Sequence, residues 1–150
     1  MKLGLVTYNV AAAWDVETVL RVCAEVGLAG VELRTTHAHG VEVSLSPAQR
    51  REVAARFADS PVRLVGLGST FEYHSADPAE VRRQIEGTKV YVRLAADVGA
   101  MGVKVRPNGL PDGVPVEKTL EQIGRALNEV AADAADLGIE IRIEVHGRGT

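Results

Sequence analysis

The stretch Ile141-Arg142-Ile143-Glu144-Val145-His146 alternates strictly between apolar and ionisable side chains. Two shorter stretches, Val31-Glu32-Leu33-Arg34 and Val103-Lys104-Val105-Arg106, alternate in the same way. Successive side chains of a β-strand point to opposite faces, so each stretch predicts a strand with one apolar and one charged face. The residues expected on the charged face are Glu32, Arg34, Lys104, Arg106, Arg142, Glu144 and His146.

These strands belong to a chain that alternates β-rich runs with helical periods. Strands are predicted over residues 3–8, 30–34, 63–69, 103–106 and 140–146. The four helices predicted between them are one at about 16–26 capped by Asp15, one opened by Ser46-Pro47, one from Asp77-Pro78 to about 98, and one after Pro115. Gly87 costs the third helix about 1 kcal/mol relative to alanine and permits a break there. The spacing is typical of βα units with parallel strands.

Two α/β folds accommodate five strands and four helices in a single domain of 150 residues. One is a flavodoxin-like doubly wound open sheet, which would be complete as it stands. The other is an incomplete TIM (β/α)8 barrel, since a complete barrel needs about 250 residues. Central strands of a doubly wound sheet are covered on both faces and read as continuous apolar runs. The charged faces found here favour the barrel, and the open sheet remains the alternative.

Composition excludes several classes of function. The formal net charge of −3 gives no general attraction for nucleic acid, and the single cysteine, Cys23, excludes a disulfide framework. We expect no membrane span, because no uninterrupted apolar run approaches about 18 residues. The absence of a signal-peptide pattern makes a cytoplasmic location the expectation. No dinucleotide fingerprint is present, so no nucleotide cofactor is assigned.

Three segments resemble the xylose-isomerase-like TIM barrel superfamily, and within it the sugar phosphate isomerase/epimerase family. They are Gly30-Val31-Glu32-Leu33, Gly102-Val103-Lys104-Val105 and, most specifically, Ile143-Glu144-Val145-His146-Gly147. The resemblance extends over the whole chain, which would form the N-terminal five of the eight βα units. It implies a metal-dependent isomerase or epimerase acting on a ketose or aldose sugar, or its phosphate, through an enediolate or a hydride shift.

The resemblance also implies a role for Glu144, and strand parity and loop position suggest roles for other residues. Glu144 corresponds to a catalytic carboxylate that ligates a divalent metal such as manganese, magnesium, cobalt or zinc, and the other ligands come from later strands. A salt bridge from Glu144 to Arg142 or Lys104 is the alternative. Residues expected to bind substrate are Glu32, Arg34, His74, Lys104, Arg106 and His146. Lys104, Arg106 and Arg34 can offer a cationic wall to a phosphate, or they can simply balance Glu32 and Glu144. His37 and His39 have a spacing that permits a metal pair.

A single carboxylate does not make a metal site. We therefore expect this chain alone to bind metal weakly or not at all and to be inactive until the remaining strands are supplied. Exposed strand edges predict a homo-oligomer if the chain stands alone. The alternative function is a non-catalytic module that binds a small anionic ligand.

Overall fold

The strands and helices alternate along the chain in a computed structural model, which describes residues 1–145. The strands are β1 (Gly4–Val6), β2 (Gly30–Arg34), β3 (Arg63–Gly68), β4 (Gly102–Val105) and β5 (Glu140–Ile143). The helices are α1 (Val16–Glu25), α2 (Pro47–Ala58), α3 (Pro78–Asp97) and α4 (Val116–Ala135). All five strands are parallel and lie in the consecutive order β1-β2-β3-β4-β5.

The consecutive order separates the two folds left open by the sequence. A doubly wound sheet reverses its strand order at a switch point, and this sheet has no such reversal. Five successive parallel strands that are joined by four helices and never reverse form part of a TIM barrel. The prediction of an incomplete barrel with five parallel strands and four helices is therefore confirmed, and the flavodoxin-like alternative is wrong.

The apolar faces of the strands pack beneath the helices, as their alternation predicts. Val31 and Leu33 of β2 and Val103 and Val105 of β4 are at most 1% exposed. Their neighbours in sequence point to the opposite side of the sheet, where Glu32 contacts Lys104. We call this second side the lumen face.

Local sequence signals fix the helix ends. Asp15 caps α1 by accepting a hydrogen bond from the Thr18 backbone N–H at 2.8 Å. Ser46 and Gln49 form a reciprocal capping box at the start of α2.

The break permitted at Gly87 does not occur, since α3 runs unbroken through it. The Phe71 ring packs against this glycine, and an added Cβ would lie 2.5 Å from Phe71 Cε1. Gly87 is therefore explained by close packing.

The two edge strands differ most from their predicted bounds. β1 is predicted over residues 3–8 and pairs over Gly4–Val6. β5 is predicted over residues 140–146 and, within the part of the chain that ends at residue 145, pairs over Glu140–Ile143. Each pairs with one neighbour only, so fewer ladder hydrogen bonds define its ends. The apolar face of β5 is also incompletely covered, because Ile143 is 52% and Val145 68% exposed. The edges of the sheet are thus the least enclosed part of the described chain.

Two buried tyrosines predict a loss of stability at alkaline pH. Burial raises the pKa of Tyr73 from 10.0 to about 12, against the opposing effect of a hydrogen bond with Thr88. Burial also raises the pKa of Tyr91, and the Glu42 carboxylate beside its hydroxyl acts in the same direction. Above pH 10 the unfolded chain releases phenol protons that the folded chain retains. The stabilisation that comes from the raised pKa is thus fully present below pH 10, the pKa in the unfolded chain. It is lost as the pH rises through about 12, the pKa of Tyr73 in the folded chain.

For Tyr73 alone we expect the free energy of unfolding to fall by about 1.4 kcal/mol per pH unit over this range. Urea unfolding at a series of alkaline pH values measures this slope. Tyr73→Phe removes one of the two groups and should make the slope shallower. The same slope in both proteins would contradict the assignment to Tyr73.

Candidate functional site

An ion triad crosses the lumen face near the C-terminal ends of the strands. Lys104 Nζ lies 3.1 Å from Glu32 Oε1 and 2.5 Å from Glu144 Oε2. The Lys104 side chain is 11% exposed, and those of Glu32 and Glu144 are 16% and 35% exposed. The contact between Glu32 Oε1 and Lys104 is an ion pair whose geometry is not that of a hydrogen bond. The triad carries a net charge of about −1 when all three groups are ionised.

A glycine on β3 makes this arrangement possible. Gly68 pairs in register with Lys104 on the adjacent strand β4. A Cβ at Gly68 would lie 2.7 Å from Glu32 Oε1. The missing side chain leaves the space through which Glu32 reaches across β3 to Lys104. Ser69 ties the end of β3 to the backbone of Lys104, because its hydroxyl donates to the Lys104 carbonyl oxygen at 2.5 Å.

A second layer lies nearer the N-terminal ends of the strands and is filled by Arg142 of β5. Its guanidinium donates to the Val65 carbonyl oxygen at 2.7 Å and to the Glu140 carboxylate at 2.8 Å. Cβ atoms at Gly66 and Gly102 would lie 3.2 Å and 2.9 Å from this guanidinium. Arg142 therefore contacts Val65 and Glu140 in this second layer, whereas Glu144 contacts Lys104 in the ion triad.

A second polar group lies at the mouth of the lumen, on the loops after β3 and β4. Glu72 Oε1 is 3.8 Å from Arg106 Nε, and Glu72 Oε2 is 3.9 Å from His74 Nε2. The His74 ring occupies the space beside Gly109, where a Cβ would lie 2.4 Å from Nε2. We call Glu72, His74, Arg106 and the neighbouring Asn108 the rim group.

The loops after β1 and β2 contribute a third set of contacts. The Arg34 guanidinium carbon lies 4.5 Å from the centre of the Tyr8 ring, a cation–π contact. Buried Thr7 accepts a hydrogen bond from the Arg34 backbone N–H at 2.9 Å. Its hydroxyl can then donate to His37 Nδ1, 3.1 Å away. Burial, with the nearby Arg34 charge, lowers the pKa of His37.

His39 has a structural role. Its Nε2 donates to the Arg34 carbonyl oxygen at 2.8 Å, and its Nδ1 accepts from the Val41 backbone N–H at 3.0 Å. This pattern fixes the neutral tautomer that carries its proton on Nε2. Burial lowers the pKa of His39 and favours the same neutral form. Both ring nitrogens of His39 bond backbone atoms, so neither is available here for the metal pair with His37 that the spacing permits.

The structure brings together only some of the residues that the sequence singled out. Glu32, Lys104 and Glu144 meet in one triad, whereas Arg106 and His74 both approach Glu72. Arg34 faces Tyr8, so the three expected cations have different partners and do not form a common wall. His146 lies outside the described residues.

Sequence reasoning missed Glu72 and Asn108. Glu72 lies two residues before His74, and side chains at this spacing share one side of an extended segment. This spacing is the signal that could have identified Glu72 from the sequence. Asn108 follows Arg106 at the same spacing.

Neither a complete metal site nor a membrane span occurs within residues 1–145. This part of the chain has no group of three His, Cys, Asp or Glu side chains placed to hold a metal ion. It also has no helix that combines the length and the hydropathy required to cross a bilayer. The described residues therefore provide no complete donor set for a metal ion.

Solved structures with the same fold are about twice as long as this chain. A zinc-bound IolI protein matches with a TM-score of 0.83 and 18% identity over 98% of this chain and 52% of its own. D-psicose 3-epimerase, solved in the presence of D-fructose, matches with a TM-score of 0.80 and 18% identity over 99% of this chain and 54% of its own. L-ribulose 3-epimerase matches with a TM-score of 0.78 and 22% identity over 99% of this chain and 51% of its own. At these identities the likeness shows the fold alone.

No curated protein matches this sequence. The profile of one family, described as the xylose isomerase-like TIM barrel, matches residues 20–150. This match covers most of the chain and agrees with the consecutive parallel strands. The chain belongs to the xylose isomerase-like TIM barrel family.

Proposed function

We propose that this chain is the N-terminal part of a metal-dependent sugar isomerase or epimerase that is active when the remaining barrel strands are present. The observation that carries the proposal is the Glu144 carboxylate, which follows β5 and lies beside Lys104 on the lumen face. Active sites of TIM barrels lie at this C-terminal end of the strands. The names of the D-psicose and L-ribulose 3-epimerases support a ketose or aldose substrate.

Glu144 would hold a divalent cation together with ligands that residues 1–145 do not provide. Its carboxylate suits a hard or borderline cation such as manganese, magnesium, cobalt or zinc. The zinc atom named for the IolI structure supports this choice. When bound, the metal would polarise the substrate's oxygen atoms and stabilise the charge that develops on them.

The residues of this chain have separate tasks in the proposed reaction. The Lys104 ammonium group would hold the Glu144 carboxylate in position while it also contacts Glu32. The Glu144 carboxylate would move a proton between adjacent sugar carbons, by enediolate chemistry, unless a hydride shifts instead. Arg34, at the end of β2, and Arg106 and His74, on the loops around the mouth, would bind the substrate. His146 retains its predicted substrate role, outside the described residues.

The competing function is a module that binds a small anion without catalysis. The triad argues against Lys104 in that role, because two carboxylates already contact its ammonium group. Arg34 is the remaining candidate of the predicted set, since Arg106 and His74 already lie beside Glu72 whereas the Arg34 guanidinium faces the Tyr8 ring. Binding of inorganic phosphate without any isomerase activity would favour this alternative.

The test compares this chain with the protein that has a complete barrel. Elemental analysis after dialysis, together with isomerase assays on ketose and aldose substrates, should find metal and activity only in the complete barrel. Activity in the complete barrel that survives full metal removal would contradict metal dependence.

Two further expectations accompany the proposal. The uncovered edges of β1 and β5 predict that residues 1–150 alone form a homo-oligomer, which light scattering at micromolar concentration would detect. A well-behaved monomer would contradict it. A cytoplasmic location stays a prediction from the sequence.

A further inference from the structure

The loop that carries Glu72 and His74 is held in place before any ligand binds. Tyr73, between them, is fully buried, and its hydroxyl lies 2.8 Å from Thr88 Oγ1. The Gln122 side-chain amide donates to the Tyr73 and Ser75 carbonyl oxygens at 2.7 and 2.9 Å. Because α3 and α4 both anchor this loop, the side chains flanking Tyr73 are preorganised at the mouth of the lumen.

The opposing loop is tied to the same place. The Arg106 backbone N–H donates to the Phe71 carbonyl oxygen at 3.0 Å. Gly109 admits the His74 ring, since any Cβ there would overlap it. The rim group is therefore built from two segments whose backbones are fixed against each other.

The rim group contains buried polar atoms that lack hydrogen bonds. Among the described residues, no hydrogen-bond partner reaches Arg106 Nε, Asn108 Oδ1 or His74 Nδ1. The distances of 3.8 and 3.9 Å from Glu72 to Arg106 and His74 are too long for hydrogen bonds. Buried polar groups are normally satisfied, so atoms left over at the mouth of an active-site lumen indicate a ligand.

The unsatisfied atoms also indicate what kind of ligand group fits. Arg106 Nε carries a hydrogen and donates, whereas Asn108 Oδ1 and the Glu72 carboxylate accept. A hydroxyl group donates and accepts, so it can satisfy both kinds of atom. A phosphate dianion only accepts, and here it would face the Glu72 carboxylate and the Asn108 oxygen.

We infer that Glu72, His74, Arg106 and Asn108 form a subsite that binds hydroxyl groups at the end of the sugar farther from Glu144 and disfavours a phosphate there. Arg106 lies two residues beyond Lys104, about 6.6 Å farther towards the mouth of the lumen. This separation is comparable with the length of a short sugar chain. The inference rests on the proposed function for the identity of the ligand as a sugar.

The test measures binding of D-fructose, 6-deoxy-D-fructose and D-fructose 6-phosphate by NMR titration of the ¹⁵N-labelled protein that has the complete barrel. We expect D-fructose to bind about tenfold more tightly than its 6-deoxy analogue, because the lost hydroxyl leaves the buried atoms unpaired again. Asn108→Ala and Arg106→Met should each reduce that ratio to below about threefold. Arg125→Met, at an exposed ion pair on α4, is the matched control and should leave the ratio unchanged.

Glu72→Gln tests the discrimination against phosphate. The amide keeps an acceptor oxygen but removes the charge, so D-fructose 6-phosphate should gain about tenfold in affinity relative to D-fructose. Unchanged ratios in both Asn108→Ala and Arg106→Met, or tighter binding of the phosphate by the unmodified complete barrel, would overturn the subsite and leave the proposed function intact. Failure of the unmodified complete barrel to bind any of the three sugars would overturn the subsite and count against the proposed sugar substrate as well.

Discussion

Lys104→Met should lower the free energy of unfolding by about 3 kcal/mol. The change removes the cation that contacts both Glu32 and Glu144 on the lumen face, and a buried charge that loses its partner typically costs about 3–5 kcal/mol. We place the effect at the lower end because Glu144 is 35% exposed and water offsets part of the loss. Urea unfolding monitored by circular dichroism measures the change.

Two further variants separate the ion triad from general packing. Arg125→Met breaks an exposed pair with Glu121 and should change stability by less than about 0.5 kcal/mol. The double variant Lys104→Met with Glu32→Gln also neutralises one of the two carboxylates that lose Lys104 as a partner. Part of the lost stability should therefore be recovered. A loss in Lys104→Met no larger than in Arg125→Met would show that the triad has no special energetic role.

Alternation within the strands is the reason that the fold could be predicted. The apolar residues Val31, Leu33, Val103 and Val105 are nearly fully buried, while Lys104 faces the lumen side, as a period of two requires. Parallel strands with one charged face need an enclosed polar space, and a barrel provides it. The ends of β1 and β5 could not be predicted as well, because an edge strand has a neighbour on one side only.

The triad was predictable because its residues lie on strands or directly follow one. Glu32, Lys104 and Glu144 follow from parity, although the pairing of Lys104 with both carboxylates also depends on the space left by Gly68. That space is a property of the register between β3 and β4 and cannot be read from one strand. The occupation of both His39 nitrogens by the backbone is likewise a consequence of loop geometry.

Glu144→Gln should lower the affinity of the complete barrel for Mn²⁺ by at least about 100-fold and abolish metal-dependent activity. A neutral amide is a poorer ligand for a hard cation than a carboxylate. Loss of a group that merely orients a ligand costs about 10–100-fold in affinity, so loss of the ligand itself should cost more. The electron paramagnetic resonance signal of free Mn²⁺ measures the affinity, and epimerase assays at saturating metal measure the activity.

Glu32→Gln is the matched control, because it makes the same chemical change at the other carboxylate of the triad. Both variants remove one partner of Lys104 and should lose similar amounts of stability. The two variants should differ in metal affinity, for which Glu32→Gln should change by less than about tenfold. Glu32 reaches Lys104 from β2 across Gly68, whereas Glu144 follows β5, next to the position that the later strands of a barrel would occupy. Equal losses of Mn²⁺ affinity in the two variants would assign the effect to the charge of the triad and contradict direct ligation by Glu144.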